Sequence, residues 1–154
     1  MGTIIAICIS EKKGTRKRPV PCAQLLADHG VENDAHAGDG HRQVSLLSFE
    51  KIEDFRKRGA IVSYGDFGEN LVINGIDFAA LPLGTNLAVG DALLELTQHG
   101  KECRHRCAIY HAMGDCIMPR QGVFAKVLKG GMIREGDSMA VFPLDAAGET
   151  PCTP

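Results

Sequence analysis

Residues 97–107 read Thr-Gln-His-Gly-Lys-Glu-Cys-Arg-His-Arg-Cys, which brings two thiols, three fixed positive charges and two imidazoles into eleven positions. A free cysteine titrates near ~8.5, and neighbouring cations lower that by a unit or more because they stabilise the thiolate. Lys101, Arg104 and Arg106 supply such charge around Cys103, and Gly100 supplies a turn that can lift it off the preceding strand. This chemistry suits a nucleophile, a sulfur carrier or a metal ligand. Cys107 would share a face with Cys103 if a helix opens there. With His99, His105 or His111 these thiols also read as a zinc site. Structural zinc usually shows two matched ligand pairs at short spacing, whereas here one C-x3-C precedes an irregularly spaced Cys116.

Three other stretches carry groups that can do chemistry. Residues 33–47, Asn-Asp-Ala-His-Ala-Gly-Asp-Gly-His-Arg-Gln-Val-Ser-Leu-Leu, form a polar loop that feeds a strand. Its His36, His41, Arg42 and Gln43 can bind an anion or orient a cofactor; the alternative is a loop in which they only cap turns. In Gly-Asp-Phe-Gly-Glu-Asn-Leu, residues 65–71, Glu69 and Asn70 can hold loop amides or hydrogen-bond a heterocycle. Residues 118–131 hold Arg120 and Lys126 but neither G-x-x-x-x-G-K-[ST] nor G-x-G-x-x-G, so they read as a turn and an exposed strand.

The elements that must position these groups follow from size and pattern. At 154 residues the chain is large enough for one domain with a real core, over 1–143, and the small polar residues 144–154 read as a flexible tail. A net charge of −2 gives no global field for nucleic acid or an acidic membrane. No run approaches the ~18 apolar residues of a membrane helix. Residues 1–10 lack a basic n-region and read as a buried first strand rather than a signal peptide. The expected location is the cytoplasm, where six cysteines point to catalysis or metal binding rather than to a disulfide framework.

Short apolar runs broken by Gly, Pro and Asn predict strands at 4–9, 43–47, 70–73, 92–97, 124–128 and 139–142. Ser48 is placed to cap a helix over 49–58, with Glu50 early, Arg56 to Arg58 late and Gly59 as a stop. Phe49, Ile52 and Phe55 give that helix a narrow apolar stripe to lay on a sheet. A second short helix is expected over 106–113. Residues 83–94 and 130–141 each run turn, Gly-Asp, strand, which reads as repeated corner geometry. Many strands, one or two short helices and no βαβ rhythm predict a mainly β, bent barrel-like fold.

Taken in order, several segments resemble the MOSC domain, named for the C-terminal part of molybdenum cofactor sulfurases. They are Asp34-Ala35-His36-Ala37-Gly38, Arg42-Gln43-Val44-Ser45-Leu46-Leu47, Gly68-Glu69-Asn70-Leu71, Leu81-Pro82-Leu83-Gly84, Val89-Gly90-Asp91-Ala92, and Thr97-Gln98 ahead of Cys103. The resemblance covers roughly residues 3–142, and the likeness is to the small stand-alone bacterial members. The resemblance implies a strongly bent β-barrel and a functional cysteine, mapped by its spacing from Thr97-Gln98 to Cys103. That cysteine would carry sulfur as a persulfide or ligate molybdenum in the molybdenum cofactor (molybdopterin). Arg42, Lys101 and Arg104 are expected to meet the cofactor on grounds of charge, and His36 and Asn70 on grounds of the motif.

Larger relatives carry a further β-barrel or pyridoxal-phosphate desulfurase domain for which these residues leave no room. A pyridoxal-phosphate cysteine desulfurase is therefore expected as sulfur donor, with a molybdoenzyme as acceptor. The enzyme class is either a sulfurtransferase type or the cofactor-dependent component of a reductase. The second version needs an external reductase, since no iron–sulfur or flavin motif is present. The alternative is a small zinc-binding or interaction module held together by Cys103, Cys107 and a histidine.

Overall fold

The structure, a computed structural model, describes residues 2–10, 17–34, 37–38, 40, 43–59, 61–100 and 122–142. The strands are β1 (Gly2–Ile9), β2 (Arg18–Val20), β3 (Cys22–Leu26), β4 (Gly30–Val31), β5 (Val44–Ser48), β6 (Leu71–Asn74), β7 (Asn86–Val89), β8 (Ala92–His99), β9 (Val123–Lys129), β10 (Gly131–Arg134) and β11 (Ser138–Phe142). One helix, α1 (Phe49–Lys57), and a 3-10 turn at Phe78–Ala80 complete the described elements. The second helix expected over 106–113 and the tail over 144–154 lie outside the described residues.

Seven strands close a barrel in the order β11-β7-β8-β9-β5-β6-β1, and Gly2 and Thr3 pair back to Met139 and Ser138. The far half of β1 turns to a different neighbour: Ile7, Cys8 and Ile9 pair with Val20, Pro19 and Arg18 of β2. Strands β10, β3 and β4 form a separate small sheet. The mainly β, barrel-like expectation is therefore what the structure has.

A bulge in β1 explains how one strand serves two cores. Strict alternation would put Ile4, Ala6 and Cys8 on one face. The pairing with β6 slips between Ile4 and Ala6, so the faces exchange there. Ile4 and Ile7 accordingly enter the barrel interior, while Ala6 and Cys8 join a second cluster with Ile52 and Phe55 of α1.

One expectation is corrected. Strands β5 and β6 are parallel neighbours joined through α1, so the barrel contains a βαβ unit that short-run reading did not register. A parallel pair needs such a crossover. Because α1 covers its outer side, β5 is buried on both faces, which leaves Val-Ser-Leu-Leu-Ser without clear alternation. The helix lies where charge order and Gly59 place it, with Ile52 and Phe55 buried. Ser48, however, does not cap it: its hydroxyl donates to the Ile76 carbonyl at 2.6 Å. The two Gly-Asp turns also differ in use. Gly90-Asp91 closes the β7–β8 hairpin, whereas Gly136-Asp137 carries the chain from the small sheet into the barrel.

Candidate functional site

The cysteine segment departs from a heavily tied stem. Strand β8 ends at His99, β9 begins at Val123, and the Gly100 amide donates to the Gly122 carbonyl at 2.6 Å. The β8–β9 register slips between Leu96 and Gln98, a bulge that bends the strand beside the departure point. Thr97 Oγ1 donates to the Phe124 carbonyl at 3.2 Å and Gln98 Nε2 to the Gly100 carbonyl at 3.0 Å. His99 Nε2 lies 2.6 Å from the Leu81 carbonyl. A carbonyl only accepts, so that ring nitrogen carries the proton and is not offered to a metal. Cys103, Lys101 and Arg104, together with Cys107, lie outside the described residues. So do His36 and Arg42.

Asn70 is described, and it is buried among strands. Its Oδ1 accepts the Ser45 amide at 3.0 Å and its Nδ2 donates to the Cys8 carbonyl at 3.0 Å. Its own amide reaches the Ser45 carbonyl at 2.9 Å, and its carbonyl accepts the Cys8 amide at 2.7 Å. One side chain thus ties β1, β5 and β6 together. Gln43 is used in the same way: Nε2 donates to Asp28 Oδ1 and the Gly40 carbonyl, and Oε1 accepts the Val127 amide at 2.9 Å. Of the two roles open to Glu69, the structure shows the holding of loop amides. Its carboxylate accepts Gly65 N at 2.9 Å and Phe67 N at 3.1 Å. Burial outweighs those two bonds and pushes its pKa up to about 7.

Next to this network lies an ion pair the sequence did not reveal. Lys17 Nζ is 2.7 Å from Asp34 Oδ1, with the side chains 1% and 0% exposed. The same oxygen accepts the Ser10 amide at 2.9 Å. Burial pushes Asp34 upward, but hydrogen bonds from Lys17 and Ser10 and the lysine charge prevail, so its pKa sits below the ordinary value. Gly65 allows the close approach involved: at φ +96 it packs on the Lys17 carbonyl, and a Cβ there would run into that oxygen. Lys17 reads in sequence as one of a run of cations, so only the fold distinguishes it. Cys8, buried near Glu69, has its thiol pushed up to about 12, first by burial and then by that carboxylate, which makes it inert at neutral pH.

Among the described residues a closed barrel carries one βαβ crossover, and the model of the MOSC domain matches residues 32–140. The chain belongs to the MOSC domain family. Solved structures agree on the fold. The YuaD protein from Bacillus subtilis superposes with a TM-score of 0.76 at 16% identity, covering 92% of this chain and 96% of that one. YiiM from Geobacillus stearothermophilus gives 0.71 at 22% identity, covering 92% and 75%. YiiM from Escherichia coli gives 0.66 at 16% identity, covering 92% and 70%. No curated protein matches the chain.

The MOSC family is associated with molybdenum cofactor sulfurases, so the fit of such a cofactor can be weighed against the residues present. Among the described residues no three His, Cys, Asp or Glu side chains group as a metal site. The donor set whose chemistry fits, a thiol among cations for a soft metal and a phosphate, belongs to segments 101–121 and 35–42. The β5–β9 ladder separates the roots of these segments. Residue 42 leads into Val44, opposite Ala125, while residue 121 leads into Val123, opposite Leu46. Val123 and Ala125, the partners at the two ends of that ladder, are two residues apart along β9, roughly 7 Å.

Proposed function

We propose that this MOSC protein handles the molybdenum cofactor through Cys103, as a persulfide carrier or as a thiolate ligand of the metal. The observation that carries the reading is the stem at Gly100 and Gly122. It is fixed in the wall of a MOSC barrel and leads within three residues to a cysteine among Lys101, Arg104 and Arg106. Those cations favour the thiolate that either role requires. Arg42, Lys101 and Arg104 would meet the cofactor's phosphate, with His36 and Asn70 as further contacts from the motif. For Asn70 that contact would be made by a side chain already holding Ser45 and Cys8. When bound, the cofactor would supply a redox-active metal that accepts soft sulfur ligands.

In the carrier role, the Cys103 thiolate attacks the outer sulfur of a donor persulfide. A new S–S bond forms on Cys103, the donor's own thiolate departs, and no net oxidation or reduction occurs. A pyridoxal-phosphate cysteine desulfurase is the proposed donor and a molybdoenzyme the proposed destination. In the ligand role a reductase supplies electrons. No described helix is long and apolar enough to cross a membrane. The proposed setting is the cytoplasm, which keeps thiols reduced.

Intact mass and metal analysis on wild type and Cys103→Ala test this, after incubation with the cofactor and, separately, with a desulfurase plus cysteine. An adduct of one sulfur atom that the variant lacks is expected for a carrier. Stoichiometric molybdenum that the variant lacks is expected for a ligand. Zinc bound equally by both proteins, with neither signal, overturns the proposal.

A further inference from the structure

We infer that the outer face of β11, β7, β8 and β9 docks a second copy of this chain, related to the first by a two-fold axis parallel to the strands. The cluster beneath α1 reaches along the outer wall as far as Phe124 of β9. Among the described elements, β11 and β7 make extended contact only with their sheet neighbours. Alternation sends Leu87, Val89, Leu94, Val127 and Met139 into the barrel core. Ala140, Ala88, Leu93 and Leu128 lie between them along the strands and face outward, Leu128 with 40% of its surface exposed. The registers set these residues in a row: Ala140 pairs with Ala88, Ala88 with Leu93, and a slip in the β8–β9 ladder leaves Leu128 next to Leu93. In the neighbouring row Phe142 pairs with Asn86, Asn86 with Glu95, and Glu95 with Lys126.

An interface between two identical chains needs a patch that complements itself, and both rows do. One runs from two alanines to two leucines, the other from a ring and an amide to a carboxylate and an ammonium. A two-fold axis lying in the face between β7 and β8 sets β8 over the partner's β7 and β9 over its β11. Leu93 then fills the space above the partner's Ala88, and Leu128 that above the partner's Ala140. Glu95 accepts from the side-chain amide of the partner's Asn86, and the Lys126 ammonium meets the ring of the partner's Phe142. Every contact occurs twice. An axis running across the strands would instead press the Glu95–Lys126 pair, 4.0 Å apart and part-exposed, onto leucine, at a desolvation cost. Two rows on four strands make a flat area of roughly 300 Å², well short of the ~800 Å² per partner of a stable dimer. Association is accordingly weak and reversible, with a dissociation constant on the order of 100 μM.

Sedimentation velocity on the full chain tests this, over concentrations from about one tenth to about ten times that constant. The particle should grow from the mass of one chain toward twice that mass. Leu93→Glu, which sets a charge in the apolar row, should remove the growth. Leu93→Ala leaves a gap and Ala88→Leu overfills one, so each should weaken association about tenfold. The double variant Leu93→Ala with Ala88→Leu exchanges filler and gap, and should restore wild-type association. Lys126→Glu loses the cation that meets the ring and should weaken association about fivefold; at a part-exposed position, it carries the test if circular dichroism shows Leu93→Glu to be unfolded. A particle of one chain at every concentration overturns the inference, whether the face stays bare or something else covers it. Growth that both charge variants leave unchanged also overturns it, since the chains would then meet through another surface. A double variant as weak as its two parents overturns the axis and the pairing of rows that it sets.

Discussion

The two sides of the barrel wall solve different physical problems. The interior packs apolar side chains against one another, Leu46, Leu71, Ile73, Leu87, Leu94, Leu96 and Phe78 among them. The outer side beneath α1 interleaves Leu47, Val72, Phe67 and Phe124 with buried Ser45, Glu69 and Asn70, and borders the Lys17–Asp34 pair. An apolar interior asks of its residues only volume and shape, and it can relax in part around a loss. A buried polar network asks that each partner be present, since every lost partner leaves a desolvated group behind. The interior is therefore expected to tolerate change better than the outer wall, although it holds more of the hydrophobic surface.

The sharpest way to break that comparison is Asp34→Ala. It removes the carboxylate 2.7 Å from the Lys17 ammonium and the acceptor of the Ser10 amide. Breaking a buried pair from one side costs ~3–5 kcal/mol, whereas replacing both partners with apolar groups is often close to neutral. Urea denaturation should thus show a large loss for Asp34→Ala and recovery of most of it in Lys17→Met with Asp34→Leu. Next comes Leu94→Ala in the interior, expected to cost ~3 kcal/mol through the cavity it leaves. It should leave Cys103 alkylation unchanged at a temperature where the variant is folded. A greater loss in Leu94→Ala than in Asp34→Ala would invert the comparison.

Legibility in the sequence divides along the same line. The interior-facing strands were readable because their apolar residues recur in short uninterrupted runs, and all six expected strands are present within two residues at either end. The strands that escaped reading are short or disguised. Strand β2 contains Pro19, β4 has two residues, and β3 begins at an exposed Cys22. Strands β7 and β10 are four-residue pieces beside glycine-rich turns that dominated the local pattern. The outer wall was less legible still. That Glu69 holds loop amides was one of two readings, but the pairing of Lys17 with Asp34 spans 17 positions and has no local signature. Asn70 and Gln43 stood out as motif residues, and the structure shows both bonded into strand edges. Motif reading finds positions; only the registers show what each is bonded to.

The finest test of the outer wall is the pH dependence contributed by Glu69. Its ordinary pKa of 4.5 rises to about 7 in the folded chain, chiefly because burial penalises the charge more than the Gly65 and Phe67 amides relieve it. Between those two values the folded protein holds a proton that the unfolded chain has released. Stability must therefore fall as pH rises through that window, by at most ~1.4 kcal/mol per pH unit, and level off above it. Asp34 shifts in the opposite sense, so its contribution is lost only on acidification below the ordinary range. The Cys8 thiol, raised from 9.0 to about 12, acts only from about pH 9 upward. Neither overlaps the Glu69 window. Gln at position 69 keeps the shape and one acceptor but has no charge to bury. The difference between the wild-type and Glu69→Gln stability curves, measured in urea at half-unit steps from pH 4.5 to 8, should isolate this group from the histidines, which both proteins share. A steady divergence up to about pH 7 and a constant gap beyond it are expected. Parallel curves would mean that Glu69 is ionised at its ordinary pKa, and that the outer wall carries its charge as comfortably as water does.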